Sequence, residues 1–178
     1  EILANVTTHD QRMHGIYRAC GKLGFPIVMD FRAGAAVGVI DRVGMPYLEE
    51  CLRAFPDTIF VGHGPSWWAE ISADVTPEQK HGYPQGPLQV SSKIDQLLET
   101  FPNLYADLSA NSAYNALTRD PVYSRQFVRK HYRKLLFGLD RFVREEEPRM
   151  IELLRSMDLP PPMEQAVFAG TASTLLKL

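Results

Sequence analysis

The sequence predicts an α/β protein built on a parallel (β/α) barrel of TIM type. The barrel is partial, with about four to five βα units, or is the C-terminal part of a full one. Three observations lead there. First, a helix–turn–strand order repeats. Leu52-Arg53-Ala54-Phe55-Pro56-Asp57 runs into Ile59-Phe60-Val61, and Leu98-Glu99-Thr100-Phe101-Pro102-Asn103 runs into Leu104-Tyr105-Ala106. Short apolar strands behind amphipathic helices signal consecutive βα units and a parallel sheet. Second, each strand run ends on a polar residue: Asp30, His63, Asp107 or Ser109, and Asp140. Third, the chain has 178 residues, whereas a complete barrel takes roughly 200 or more.

The elements follow in order. Residues 10–23 place Met13, Ile16, Tyr17, Cys20 and Leu23 on one helical face, with Gly24 as the C-cap. Ile27-Val28-Met29 is the first strand run. Asp41, after Val37-Gly38-Val39-Ile40, reads as the cap of a helix entered at Pro46, with Leu48, Cys51, Leu52 and Phe55 inward. Ser91 or Ser92 caps a helix carrying Ile94, Leu97, Leu98 and Phe101. Asp120-Pro121 opens a helix to about His131, and Leu135 to Leu139 is the last strand run. Helices over 148–157 and 162–169 close the chain, with Pro160-Pro161-Pro162 as a stiff connector. Residues 1–178 thus form one barrel-type domain lacking the N-terminal strands.

The segment from Gly64 to Val90 differs from the rest, having no sustained period and four prolines. It follows a strand's C-terminal end, where parallel α/β folds bind their ligands. Long loops in such places are lids or binding loops. Within it, His81 reads as solvent-exposed.

Bulk properties narrow the function. Apolar residues make up 45% and charged residues 22%, with net charge -2 and a pI near 6.2. That balance gives no electrostatic case for nucleic acid or an anionic membrane surface. The basic run from Arg125 to Lys134 carries Phe127, Val128 and Tyr132 at helical spacing, so it reads as a solvated helix face. The two cysteines, Cys20 and Cys51, sit in apolar helical patterns and read as buried thiols. No stretch spans a bilayer and no signal-peptide pattern opens the chain, so the expected location is cytoplasmic. Residue 1 is Glu rather than Met, which points to a trimmed or longer chain from which a leader could have been lost.

In a (β/α) barrel the strand ends converge on one rim. An imidazole with two or three carboxylates there has the donor mixture of a hard or borderline metal site. A carboxylate left unliganded can serve as base for a metal-bound water. Trp67 and Trp68, just after His63, are candidate aromatic walls of a substrate pocket; packing the loop onto the rim is the equal alternative. Arg32, behind Asp30, is a candidate clamp for a substrate carboxylate, with a plain Asp–Arg pair as its alternative.

Several segments together resemble the amidohydrolase-related, metal-dependent hydrolase family. Phe55-Pro56-Asp57 through Gly62-His63-Gly64 resembles its FPD…GH element, and Pro102-Asn103-Leu104-Tyr105-Ala106-Asp107-Leu108-Ser109 its PN-(V/L)-Y-x-D-x-S strand. Leu135-Leu136-Phe137-Gly138-Leu139-Asp140 is similar to the L-L-F-G-T-D strand, and Ala169-Gly170-Thr171-Ala172 with Leu175-Leu176 to the closing helix. The resemblance implies a TIM-like barrel binding a divalent metal, usually zinc. By position it implies His63 and Asp140 as metal ligands or catalytic groups, and Asp30 where many members place a histidine ligand. The family's first-strand His-x-His pair is absent, Leu139 replaces a Thr, and Thr171 replaces an Asn.

The expected function is a metal-dependent hydrolase acting on a small amide, lactone or carboxylate substrate. The alternatives are a decarboxylase of the same superfamily or a non-catalytic barrel relative serving in binding or assembly. A half barrel exposes two strand edges, so a complete chain of this kind would pair as a homodimer.

Overall fold

A computed structural model describes residues 6–32, 37–141 and 149–178. Six strands lie parallel. They are β1 (Val6–Thr7), β2 (Ile27–Asp30), β3 (Val39–Ile40), β4 (Phe60–His63), β5 (Leu104–Asp107) and β6 (Leu135–Leu136). β2, β4, β5 and β6 form one sheet in that order, and β1 pairs with β3. A parallel bridge between Phe31 and Val39 joins the two sheets. Helices alternate with the strands, as the repeated order predicts: α1 (Gln11–Leu23), α2 (Pro46–Ala54), α3 (Pro65–Trp68), α4 (Lys93–Thr100), α5 (Ala110–Thr118) and α6 (Pro121–His131). After β6 come α7 (Arg149–Ser156), α8 (Pro161–Gln165), a π-helical turn Ala166–Gly170, and α9 (Thr171–Leu176). The result is an arc of a (β/α) barrel, with β1 and β6 as its two ends.

The repeated sequence has a physical basis at each helix end. Helix C-terminal carbonyls have no partner in their own helix and need donors from elsewhere. At α2 and α4 the donor comes from the residue just ahead of the next strand of the main sheet. Within α1, rather than at its end, Thr58 Oγ1 donates to Tyr17 O at 2.8 Å. Asn103 Nδ2 donates to the carbonyls of Leu52, Phe55 and Thr58 at 3.3, 3.1 and 3.1 Å. Lys134 Nζ donates to those of Leu98 and Phe101, and Thr171 Oγ1 to that of Tyr132 at 3.1 Å. The Phe-Pro-Asp and Phe-Pro-Asn turns are therefore stitched to the strand or helix that follows.

N-caps follow the sequence closely. Asp10 accepts from Arg12 N at 2.9 Å, Ser92 from Asp95 N at 3.2 Å, and Asp120 from Val122 N and Tyr123 N. Asp41 closes the first turn of α2 by accepting from Tyr47 N and Leu48 N at 3.1 and 2.7 Å. Gly24 takes the left-handed conformation that ends α1, with φ 71°.

Three expectations change. Of the face expected inward on α1, only Tyr17 is fully buried, while Ile16 and Leu23 are 49% and 63% exposed. No described element covers that flank. Pro161 and Pro162 are not a connector but the first turn of α8, where a missing N–H costs nothing. The closing helix over 162–169 continues through the π turn to Leu176, and that over 148–157 is seen as Arg149–Ser156, residue 148 lying outside the described residues.

The core lies between sheet and helices, around Tyr17, Phe31, Phe60, Trp67, Trp68 and Phe127. Burying such a side chain contributes roughly 1.5–3 kcal/mol. No helix among the described residues is long and apolar enough to cross a membrane.

Candidate functional site at the strand C-terminal rim

The strand ends do converge. Asp30 and His63 are register partners at the ends of β2 and β4, and Asp107 ends β5. With Arg32, Ser109 and Asp140 they line a cavity of about 540 Å³, whose walls are Val28, Val61, Leu136, Leu139, Leu175 and Leu176. Polar groups gathered at one end of an apolar concavity are the usual build of a small-molecule site.

His63 is the centre of this group. Its Nδ1 lies 2.6 Å from Asp107 Oδ2, so Nδ1 carries the proton and Asp107 accepts it. Asp107 is itself held. Ser109 Oγ donates to its Oδ2 and Ser109 N to its Oδ1, the latter at 2.9 Å. The other imidazole nitrogen, Nε2, faces the carboxylate of Asp140, 3.9 Å away. Burial works against a charged imidazole here. The hydrogen bond and charge of Asp107, with the charges of Asp30 and Asp140, outweigh it and hold the His63 pKa above its ordinary value.

The rim is built under strain. Asp140 and Ala110 both sit in the left-handed region, with φ 51° and 62°, and Ala110 N donates to Leu139 O at 3.4 Å between them. For a residue with a Cβ this conformation costs roughly 1–2 kcal/mol, and such costs concentrate at functional sites. Gly64, φ 94°, is required beside His63: a Cβ there would strike Asp30 Oδ1 and the carbonyl of Phe31.

Asp30 is committed elsewhere. Both its oxygens accept from Arg32 Nε, at 3.0 and 2.7 Å. Arg32 therefore reaches the cavity as half of a partly exposed ion pair.

Trp67 and Trp68 do not form the pocket mouth. They are 0% and 1% exposed and belong to the core. The reason is steric. α3 turns back directly after His63, so the Trp67 ring packs on Gly62, whose missing side chain leaves the space. Trp68 packs on Phe127 at 6.2 Å and donates through Nε1 to Asp107 O at 3.0 Å. The two residues that do complete the site are Asp107 and Ser109. The signals for them in the sequence were their place at a strand end in register with the others and their match to the D and S of the PN-(V/L)-Y-x-D-x-S element.

Among the described residues no group of three or more His, Cys, Asp or Glu side chains is disposed to hold a metal ion. Two donors fit one. A metal-binding imidazole usually has its other nitrogen held by a carboxylate, as His63 has, and Asp140 stands opposite its free nitrogen. Asp30, expected as a third ligand, is tied to Arg32 instead.

Comparison with solved structures shows the same architecture. An uncharacterised TIM-barrel protein from Bordetella bronchiseptica superposes with a TM-score of 0.63 at 19% identity, over 97% of this chain and 52% of its own. A putative 2-pyrone-4,6-dicarboxylic acid hydrolase from Pseudomonas putida gives 0.57 at 16% identity, over 97% and 61%. A dihydroxybenzoic acid decarboxylase from a Polaromonas species, solved with bound manganese and 2-nitroresorcinol, gives 0.52 at 14% identity, over 97% and 55%. The chain therefore spans about half the length of these structures and has the fold of part of a TIM barrel. A comparison with curated protein sequences returned no match. Dependence on a divalent metal is general among amidohydrolases of this type. The amidohydrolase family's sequence model matches residues 5–178, and the chain belongs to that family.

Proposed function

We propose that the chain carries the acid–base side of a metal-dependent hydrolase acting on a small lactone, amide or carboxylic acid derivative. The observation that carries this reading is His63, fixed by Asp107 through Nδ1 and presenting Nε2 to Asp140 across the cavity. His63 Nε2 and the Asp140 carboxylate would hold the divalent ion, zinc by family resemblance. Bound there, it would supply Lewis-acid activation of the reacting carbonyl and its water. Asp107 keeps the imidazole in one tautomer and orientation. Asp140, held in a strained conformation, accepts the proton of water as its oxygen bonds to the substrate carbonyl carbon, then returns it to the leaving oxygen or nitrogen. Val28, Val61, Leu136 and Leu139 line the cavity with apolar surface. The Arg32 guanidinium uses only Nε on Asp30 and has further donors for a substrate carboxylate.

A second reading has its own support. With Asp30 paired to Arg32 and only two donors facing each other, the chain would serve as a non-catalytic barrel relative. Assay of lactone and amide hydrolysis, and of carbon dioxide release from aromatic acids, with manganese or zinc present, separates the two. Hydrolysis lost in Asp140→Asn supports the hydrolase. Carbon dioxide release alone makes it a decarboxylase, and no turnover by folded, metal-loaded protein supports the relative.

A further inference from the structure

Between β4 and β5 the sheet hydrogen bonding stops one residue short of the site. β2 and β4 stay in register to Asp30 and His63, and β5 pairs with β6 as far as Asp107 and Leu136, but β4 and β5 last pair at Gly62 and Ala106. One step further, Gly64 turns the chain away at φ 94°, and the Asp107 carbonyl lies past the β4–β5 ladder. Backbone polar groups buried without partners are rare because each costs about the desolvation of a lost hydrogen bond. Trp68 supplies the missing donor: its Nε1 meets Asp107 O at 3.0 Å from a ring that is 1% exposed. The same peptide carries the carboxylate that holds His63 Nδ1 at 2.6 Å.

We propose that Trp68 is a positioning residue for the His63–Asp107 pair, its indole N–H replacing the hydrogen bond that β4 no longer gives the Asp107 carbonyl. Trp67 is the internal contrast. It is equally buried, yet its Nε1 has no hydrogen-bond partner, so it acts through packing alone. The consequence for turnover rests on His63 being the reactive imidazole; the consequence for the His63–Asp107 hydrogen bond does not.

The hydrogen bond can be followed directly by the downfield proton signal of His63 Nδ1–H and its exchange with water. In Trp68→Phe the ring stays against Phe127 and the donor is lost. The signal should broaden or vanish, with exchange at least about tenfold faster, while the protein still folds with a melting temperature lowered by roughly 2–12 °C. Trp67→Phe should leave the signal in place. If Trp68→Phe fails to fold, β-(3-benzothienyl)alanine at position 68 replaces the N–H by sulfur with nearly the same shape and decides the matter. A sharp, slowly exchanging signal in either folded Trp68 variant overturns the proposal, as does equal loss in Trp67→Phe. Intact positioning with no turnover on any substrate would instead count only against the hydrolase reading.

Discussion

Lys80→Met should be among the most damaging single changes outside the rim. Lys80 and Glu70 are 2% and 1% exposed, and Lys80 Nζ donates to Glu70 Oε1 and to Met45 Sδ. Burial pulls the Lys80 pKa down against the charge and hydrogen bond of Glu70 and the charge of Asp41. Removing one partner strands a buried charge, which typically costs about 3–5 kcal/mol. Gly44 N, 2.9 Å from Glu70 Oε1, remains as a donor among the described residues, and this places the cost toward the lower end of that range. At roughly 2–4 °C per kcal/mol for a chain of this size, the melting temperature should fall by roughly 6–12 °C. Glu70→Gln combined with Lys80→Met removes both charges and should recover most of the loss, because a neutral replacement of a buried pair is often tolerated. Thermal and urea unfolding of the two single variants and the double variant measure the cycle. A Lys80→Met cost below about 1 kcal/mol, the worth of an exposed pair, would refute the reasoning and mean that water reaches the loop's anchor.

Two further outcomes are expected. The Cys51 thiol is pushed up to about 12 by burial, with the charges of Asp41 and Glu50 adding to it, whereas Cys20 is partly exposed. A thiol reagent at neutral pH should modify one cysteine per native chain and both in urea; two reacting natively would contradict the packing of α2. Because the folded-state pKa of His63 is raised, its charged form stabilises the fold fully below the ordinary value of 6.5, and that contribution is lost as pH rises through the folded value. In chelator-treated protein, the stability difference between wild type and His63→Gln should therefore shrink as pH rises above 6.5. A difference that grows with pH would reverse the sign.

The sequence spoke clearly where local chemistry alone decides the structure. Asp10, Ser92 and Asp120 cap helices because a short polar side chain at a helix start has an unpaired N–H within reach. The runs before Asp30, His63, Asp107 and Asp140 contain strands because short apolar stretches pack against the helices; β4 is buried at every position, whereas Val28 of β2 is 48% exposed on the cavity side. β1 and β3 escaped because two residues each carry no period; only their pairing defines them. For the two tryptophans pocket wall and packing stay equally open in the sequence, because it shows where a turn starts, not which way it folds back; Gly62 is the clue to packing, since its bare Cα admits the Trp67 ring. The buried Lys80–Glu70 pair gave no signal, as both residues look like loop charges. At the rim His63 and Asp140 came together, Asp30 joined Arg32, and Asp107 emerged as the partner because orientation depends on contacts across strands.

The most direct measurement is a manganese titration followed by paramagnetic broadening of the histidine ring and Asp and Glu carboxylate signals. Broadening that begins at the His63 ring and the Asp140 carboxylate, near one equivalent, and is abolished in His63→Ala and weakened in Asp140→Asn is the predicted result. Broadening that begins at surface carboxylates such as Glu99 or Asp158, or that is unchanged in both variants, would contradict a metal-binding role for the His63–Asp140 pair.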